Sequence, residues 1–330
     1  MDVFRLTREL IDIPSVTGDE FQIGTSLGEL LVRYGYRVEL EDVAAERSNI
    51  IATTEAPPRV VLSTHMDTVP PFIASSEDDD FIYGRGSCDA KGIIAAQIAA
   101  AEQLRAQGLN EIGLLFTVDE EVASAGAKIA NDHPLAGSCE YLINGEPTDN
   151  QLATGTKGSI QTIIRTEGRA AHSAYPEYGE SAIEKLLDVL NDLRNIEWPD
   201  DGVFGETTCN IGVLSGGVRA NVIPSEAQAT LHIRLAKESS AVKELLEQSI
   251  DGRAIIDYKS VHDPVRLFTT GGFDQMLARF TTDIPYLSNW GRALLIGPGS
   301  ILDAHTDGEK IRKSDLTKAV ELYVELVKAL

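Results

Sequence analysis

The chain has 330 residues, 43% hydrophobic and 24% charged. That is enough apolar material for one large folded domain or two unequal ones, and too much for a disordered chain. Acidic residues number 51 against 29 basic ones, a formal charge of -22, and such a field excludes nucleic acid and anionic membrane surfaces as partners while leaving small-molecule substrates open.

The first ten residues carry no long apolar stretch, which predicts neither a signal peptide nor a membrane span. Cys88, Cys139 and Cys209 are too few and too scattered for a disulfide framework or a thiolate zinc site, so the expected location is cytoplasmic. Residues 2–13 read as an amphipathic helix ended by Pro14, and 20–34 as a second helix stopped by Gly35. Short strands are expected at 36–40 and 49–54. Pro57 and Pro58 break the chain before an unalternating apolar strand at 59–64, the pattern of a strand covered on both sides. The acidic run 77–80 lacks the spaced ligands of a calcium loop and reads as a solvated hairpin tip. A glycine-rich polar loop at 83–92 leads into a helix at 93–107, whose alanines imply close packing on a sheet. A strand at 112–118, a helix at 123–130 and a strand at 139–143 follow. Apolar strands alternating with helices predict a mostly parallel α/β sheet covered on both faces.

The pattern changes after Gly155. Residues 159–166 alternate, as a half-exposed strand does. A helix at 180–193, strands at 210–214 and 227–235, a helix at 239–249 and a strand at 254–259 complete a β-α-β-β-α-β order, that of a ferredoxin-like α+β domain. A helix is expected at 273–280, a buried strand at 292–297 and a terminal amphipathic helix at 314–330. The expected organisation is a discontinuous first domain, 1–157 and 264–330, with a second domain, 158–263, inserted into it.

Polar clusters fall just after four strands of the first kind: His65 and Asp67; Asp119, Glu120 and Glu121; Asn144 and Glu146; and His305 with Asp303, Asp307 and Glu309 close by. Open parallel sheets bind ligands outside their carboxyl strand ends. Asp89 enters from the 83–92 loop and reads either as the N-cap of the following helix or as a metal-bridging carboxylate. Crowded carboxylates need cations to stay ionised, and imidazole with carboxylate suits zinc, manganese, cobalt or nickel. Asp67, two residues from His65, is placed to accept that ring's other N–H.

The stretches Ser63–Pro70, Gly84–Gly92, Thr117–Glu121 and Gly145–Pro147 together resemble the successive signatures of the M20 family, co-catalytic zinc amidohydrolases and exopeptidases. The resemblance covers essentially the whole chain. It implies that Asp89 bridges two divalent metal ions, zinc first and cobalt or manganese as alternatives. His65 and Glu146 would complete one site, Glu121 and His305 the other. Glu120 would be the general base acting on a water between the metals, and Asp67 the orienter of His65. It further implies a homodimer formed through the inserted domain, with His172 reaching the partner's active site. Asn221, Arg234, Gly299 and Ser300 would contact substrate. His232 departs from the family pattern, since an aspartate is common there. The leading expectation is hydrolysis of an N-acyl amino acid, as in acetylornithine or acetyl-lysine deacetylases. A dipeptidase or carboxypeptidase on the same machinery is the alternative, and a metal-free binding protein the third reading. Cys88 is expected to be a spectator thiol, and Trp198 and Trp290 packing residues.

Overall fold

The computed structural model describes all 330 residues. They form two compact units. The first comprises Met1–Thr154, Leu267–Met276 and Thr282–Leu330; the second comprises Gly155–Arg266 and Leu277–Thr281.

The first unit is built on a six-stranded sheet in the order Arg37–Ala44, Arg47–Thr53, Ile112–Thr117, Val60–His65, Tyr141–Asn144, Arg292–Leu295. The last four strands run parallel, and the first two form an antiparallel hairpin at one edge. Val60–His65 and Ile112–Thr117 are buried at every position, because both faces of the sheet are covered. On one face Leu62, Phe116 and Ile143 share a core with the helices Val3–Ile11, Lys91–Ala106 and Lys313–Ala329. On the other, Val61, Leu115 and Leu142 pack with Ala127 and Ala130 and with Trp290, whose indole N–H donates to the Ala130 carbonyl at 2.9 Å. The alanines of Lys91–Ala106 allow the close approach that the sequence implies, since Ala95, Ala96, Ala99, Ala100 and Ala101 are all buried. Gly92 is required at its position, because a Cβ there would lie 2.2 Å from the Ser87 carbonyl oxygen. The acidic run closes a small hairpin, Ser76–Glu77 with Phe81–Tyr83, in which Asp78 accepts the N–H groups of Asp80 and Phe81.

The helix expected at 273–280 does not form. The segment contains instead a short strand, Gln275–Ala278. Leu152 N–H donates to the Asp274 carbonyl at 2.8 Å, and the Thr154 hydroxyl to the Met276 carbonyl at 3.1 Å. Eight residues make barely two helical turns, too few to repay nucleation when a neighbouring strand offers backbone partners.

In the second unit an antiparallel sheet runs in the order Thr208–Gly216, Glu226–Leu235, Gly158–Glu167, Ile255–His262. Ala227, Ala229, Leu231, Ile233 and Leu235 alternate onto the covered face. There they pack against Leu186, Val189, Leu190 and Leu193 of the helix Ala182–Arg194 and Val242, Leu246 and Ile250 of Ser239–Ile250. The intervening residues, Gln228, Thr230, His232 and Arg234, fall on the opposite face, as period-two geometry dictates. Helix order and strand order are those of the β-α-β-β-α-β reading.

Candidate metal centre and active site

The four parallel strands of the first unit end side by side. Ladder bonds continue past their ends: Met66 N–H donates to Thr117 O at 2.8 Å, Gly145 N–H to Ser63 O at 2.7 Å, and Ile296 N–H to Asn144 O at 3.1 Å. His65 is the last residue of its strand, Glu120 and Glu121 lie just beyond Thr117, and Glu146 just beyond Asn144. Three of the sequence-predicted ligands, His65, Glu121 and Glu146, therefore leave one edge of one sheet, while Asp89 and His305 come from turns.

Asp89 is not a helix cap. The helix begins at Lys91, its N-cap residue is Ala90, and no side chain caps it. The Asp89 carboxylate instead stands between two imidazoles. Its Oδ1 lies 2.9 Å from His65 Nε2 and its Oδ2 lies 3.3 Å from His305 Nε2. His305 Nε2 also meets Glu121 Oε1 at 3.0 Å. Ligand atoms of His65, Asp89 and Glu121 all lie within 4.8 Å of one another.

Asp67 is fully buried and organises the approach to this cluster. His65 Nδ1 donates to the Asp67 carbonyl oxygen at 2.9 Å, with the Asp67 carboxylate at 3.5 Å. The nearer acceptor is thus the backbone oxygen rather than the side chain expected from the sequence. The carboxylate has other partners: the Thr17 hydroxyl at 2.7 Å and the N–H groups of Glu120 at 3.1 Å and Glu121 at 3.2 Å. Asp67 therefore aims two consecutive glutamates as well as one histidine.

Electrostatics match a cation site. Burial alone would lower the His65 pKa, but its contacts with Asp67 and Asp89 outweigh that and hold it well above its usual value. Hydrogen bonds to Asp89 and Glu121 push His305 up to about 10. Burial raises Glu120 and Glu146 well above the usual carboxylate range, and each carboxylate cluster member adds to the crowding. Glu146 Oε1 is buried without a hydrogen-bond partner. Like charges forced together with an orphaned oxygen among them are relieved by a bound cation. Imidazole and carboxylate donors without thiolate fit zinc, cobalt or manganese.

One functional candidate was not legible in the sequence. Asp283 lies outside every strand end, yet it is 2% exposed, accepts from the Thr117 hydroxyl at 2.8 Å, and keeps Oδ1 unpartnered. It braces the root of the loop that carries Glu120 and Glu121. Burial lifts its pKa to about 6 from 3.8. A folded-state pKa above the unfolded one means the carboxyl costs stability as pH rises through that window, with the full cost above it. Asp283→Asn is therefore expected to stabilise the protein in chelator above pH 6, by up to about 3 kcal/mol, and not at pH 4. Thermal unfolding across pH 4–8 reads this; a difference from wild type that does not vary with pH overturns it.

The remaining candidates are placed as follows. Gly299, at φ +82, packs on Cys88, where a Cβ would meet Sγ at 2.7 Å. The Ser300 hydroxyl turns to Asp149 at 3.4 Å. Cys88 is buried, burial raises its thiol pKa, and Sγ donates to the Ser300 carbonyl at 3.2 Å, consistent with a spectator. His172, Asn221 and Arg234 belong to the second unit. A two-residue antiparallel pairing, Ala171-His172 with Val222-Ile223, holds His172 and Asn221 together, and Ser173 N–H donates to Asn221 O at 3.1 Å. Both side chains are exposed.

Residues 61–329 match the family described as Peptidase family M20/M25/M40. This chain belongs to that family. A peptidase M20 domain-containing protein of Schizosaccharomyces pombe is 36% identical over 341 residues, covering 99% of this chain and 84% of that protein. A protein of Aspergillus niger described as "Probable carboxypeptidase" is 36% identical over 366 residues, with 98% and 88% covered. A crystal structure of a tripeptidase from Staphylococcus aureus is 20% identical and superposes with a TM-score of 0.84 over 99% of this chain and 97% of that one. The chain is thus an M20-family hydrolase with a His–Asp–Glu cluster able to hold metal, and no helix in it is long and apolar enough to cross a membrane.

Proposed function

We propose that the protein hydrolyses the amide bond joining an acyl group to the nitrogen of an amino acid, using two divalent ions. The observation that carries this reading is the placement of one imidazole at each oxygen of Asp89. Asp89 would be the shared ligand, His65 and Glu146 would hold one ion, and Glu121 and His305 the other. Zinc is the expected metal, with cobalt or manganese as substitutes. When bound, such ions supply Lewis acidity toward the scissile carbonyl and make water a better nucleophile near neutral pH. Glu120 takes a proton from the attacking water and returns it to the departing amine, so that the carbonyl carbon gains hydroxyl and the nitrogen gains hydrogen. Asp67 fixes where both glutamates begin.

A carboxypeptidase or dipeptidase breaks the same kind of bond with a peptidyl acyl part. The description of the Aspergillus niger relative favours this second reading. A panel of N-acyl amino acids and dipeptides, assayed with zinc, cobalt and manganese, separates them. Activity on neither class under any metal would overturn both.

Arg234 is the proposed anchor for the substrate carboxylate. In a chain with 51 acidic residues it has no acidic partner, and burial alone lowers its pKa. It shares the uncovered face with His232. A guanidinium fork pairs with carboxylate in a bidentate manner. Arg234→Ala is expected to lower kcat/KM about tenfold to a hundredfold for the free acids, one strong charged contact being worth that much, and to change amidated analogues little. Equal losses on acid and amide remove Arg234 from the site.

The protein is further proposed to be a homodimer in which His172 and Asn221 serve the partner copy's substrate. Mixing inactive His172→Ala with inactive Glu120→Gln chains is then expected to restore part of the activity, because one site of each mixed dimer holds both intact groups. Mixed dimers without recovery count against the shared site.

A further inference from the structure

Arg85 and Glu309 form an ion pair at 2.7 Å, with side chains 2% and 0% exposed. Nothing in the proton transfers proposed above uses either residue. A buried pair of this kind costs desolvation on both sides, so its geometry has to be compensated by further hydrogen bonds. Those bonds are the informative part. Glu309 Oε1 accepts three N–H groups of the same loop, from Gly86 at 2.9 Å, Cys88 at 3.1 Å and Asp89 at 3.1 Å. Glu309 Oε2 takes Arg85 Nη1. The same guanidinium reaches two other loops, donating from Nη1 to the Thr306 carbonyl at 3.1 Å and from Nε to the Pro71 carbonyl at 3.3 Å.

Three chain segments therefore meet on one buried pair. The segment through Pro71 follows His65 and Asp67. The segment through Gly86–Asp89 carries Asp89. The segment through Thr306 and Glu309 follows His305. The backbone N–H of Asp89 itself is one of the bonds, so the peptide from which the shared carboxylate projects is fixed by Glu309. His305 is attached to Thr306, whose carbonyl is fixed by Arg85.

We infer that Arg85 and Glu309 are the positioning pair of the metal centre, setting the distance between the Asp89 and His305 loops and so the affinity of the ion held by Asp89, Glu121 and His305. The inference rests on the metal reading above. Neither residue touches substrate or the reacting atoms. The ion on His65 and Glu146 depends on them less, because His65 and Glu146 emerge directly from sheet strands while His305 hangs on a loop.

The test titrates zinc into chelator-stripped full-length protein by calorimetry and follows cobalt binding by visible absorbance. Wild type is expected to bind two ions. Glu309→Ala is expected to weaken the ion on His305 about 10- to 100-fold, the usual range for residues that orient metal ligands, and the ion on His65, which shares Asp89, by less. Glu309→Gln keeps one acceptor oxygen for the loop N–H groups but turns an amide toward Arg85, so its loss is expected to be smaller and of the same ion. Arg85→Met is expected to act on that ion too. The cobalt spectrum should lose the contribution of the His305 site first. Should Glu309→Ala be unfolded in chelator, the near-isosteric Glu309→Gln and Arg85→Met decide. Zinc affinities within about threefold of wild type in those two variants overturn the inference, including where their thermal stability in chelator has dropped, since that is a purely structural role. Wild type that binds no zinc overturns the metal reading itself.

Discussion

Glu120→Gln is expected to lower kcat by about a hundred- to ten-thousand-fold, the usual contribution of a positioned general base, while both metal ions stay bound. Glu120 and Glu121 are consecutive, and Asp67 fixes the backbone N–H of each. Their side chains differ in what they meet. Glu121 Oε1 contacts His305, whereas no hydrogen bond or ion pair engages the Glu120 carboxylate. A free carboxylate beside a ligand cluster can carry a proton from water to a leaving amine; one tied to a ligand histidine cannot do so without disturbing it. Glutamine keeps the shape and removes the proton acceptor. The matching control is Glu121→Gln, which is expected to weaken metal binding first and activity as a consequence. Measuring kcat at saturating metal together with metal content separates the two roles. Near-normal kcat in Glu120→Gln would assign the base elsewhere.

The fold was readable where physical pattern and burial coincide. The strands Val60–His65 and Ile112–Thr117 show no polar alternation and are buried at every position because helices cover both faces of their sheet. The second unit announced itself by alternation, since only one face of its sheet is covered. Pattern failed at 273–280, where composition suits a helix but Leu152 and Thr154 present backbone and hydroxyl partners to the segment. Those partners lie more than a hundred residues away, so no local window contains them. The edge hairpin also runs longer than its apolar residues suggested, from Arg37–Ala44 to Arg47–Thr53, because charged residues are tolerated on an exposed edge strand.

The candidate site was legible to the extent that its proposed ligands follow strand ends. His65, Glu121, Glu146 and His305 were each placed by that rule and by the family resemblance. By position alone Asp89 suits a cap as well as a ligand, since both roles put an aspartate just before a helix; the family resemblance favoured the ligand, and the helix start at Lys91 excludes the cap. Of the supports around these candidates Asp67 was legible and two others were not. Asp283 follows no strand, and Arg85 sits in the glycine-rich loop while its partner, Glu309, lies 224 residues away. Their meaning comes from partners at 117 and 309, and tertiary contact alone supplies those.

Exhaustive chelation is expected to abolish activity, and Asp89→Ala to lose both ions at micromolar metal with activity falling more than about a thousandfold, since the shared ligand and the metal-dependent polarisation go together. Asp89 is the one group in contact with both histidines, and those contacts hold its carboxyl far below the usual range once burial is overcome. Removing it leaves His65 without its nearest carboxylate and His305 with Glu121 alone. The same charges fix a pH dependence. His305, at about 10, is an imidazolium at neutral pH in the absence of a competing cation, and Glu120 and Glu146 are shifted toward their protonated forms. Ligation needs His305 neutral and Glu146 ionised, so metal binding releases protons and apparent affinity rises as pH rises toward 10. Calorimetry at pH 7 in two buffers of different ionisation enthalpy should show a net proton release per chain. Metal at a thousand times its Kd should then raise stability by about 4 kcal/mol per bound ion over the chelated protein. Full activity after complete chelation, or binding enthalpies that do not depend on the buffer, would remove the metal from the mechanism or the protonated histidine from the site, respectively.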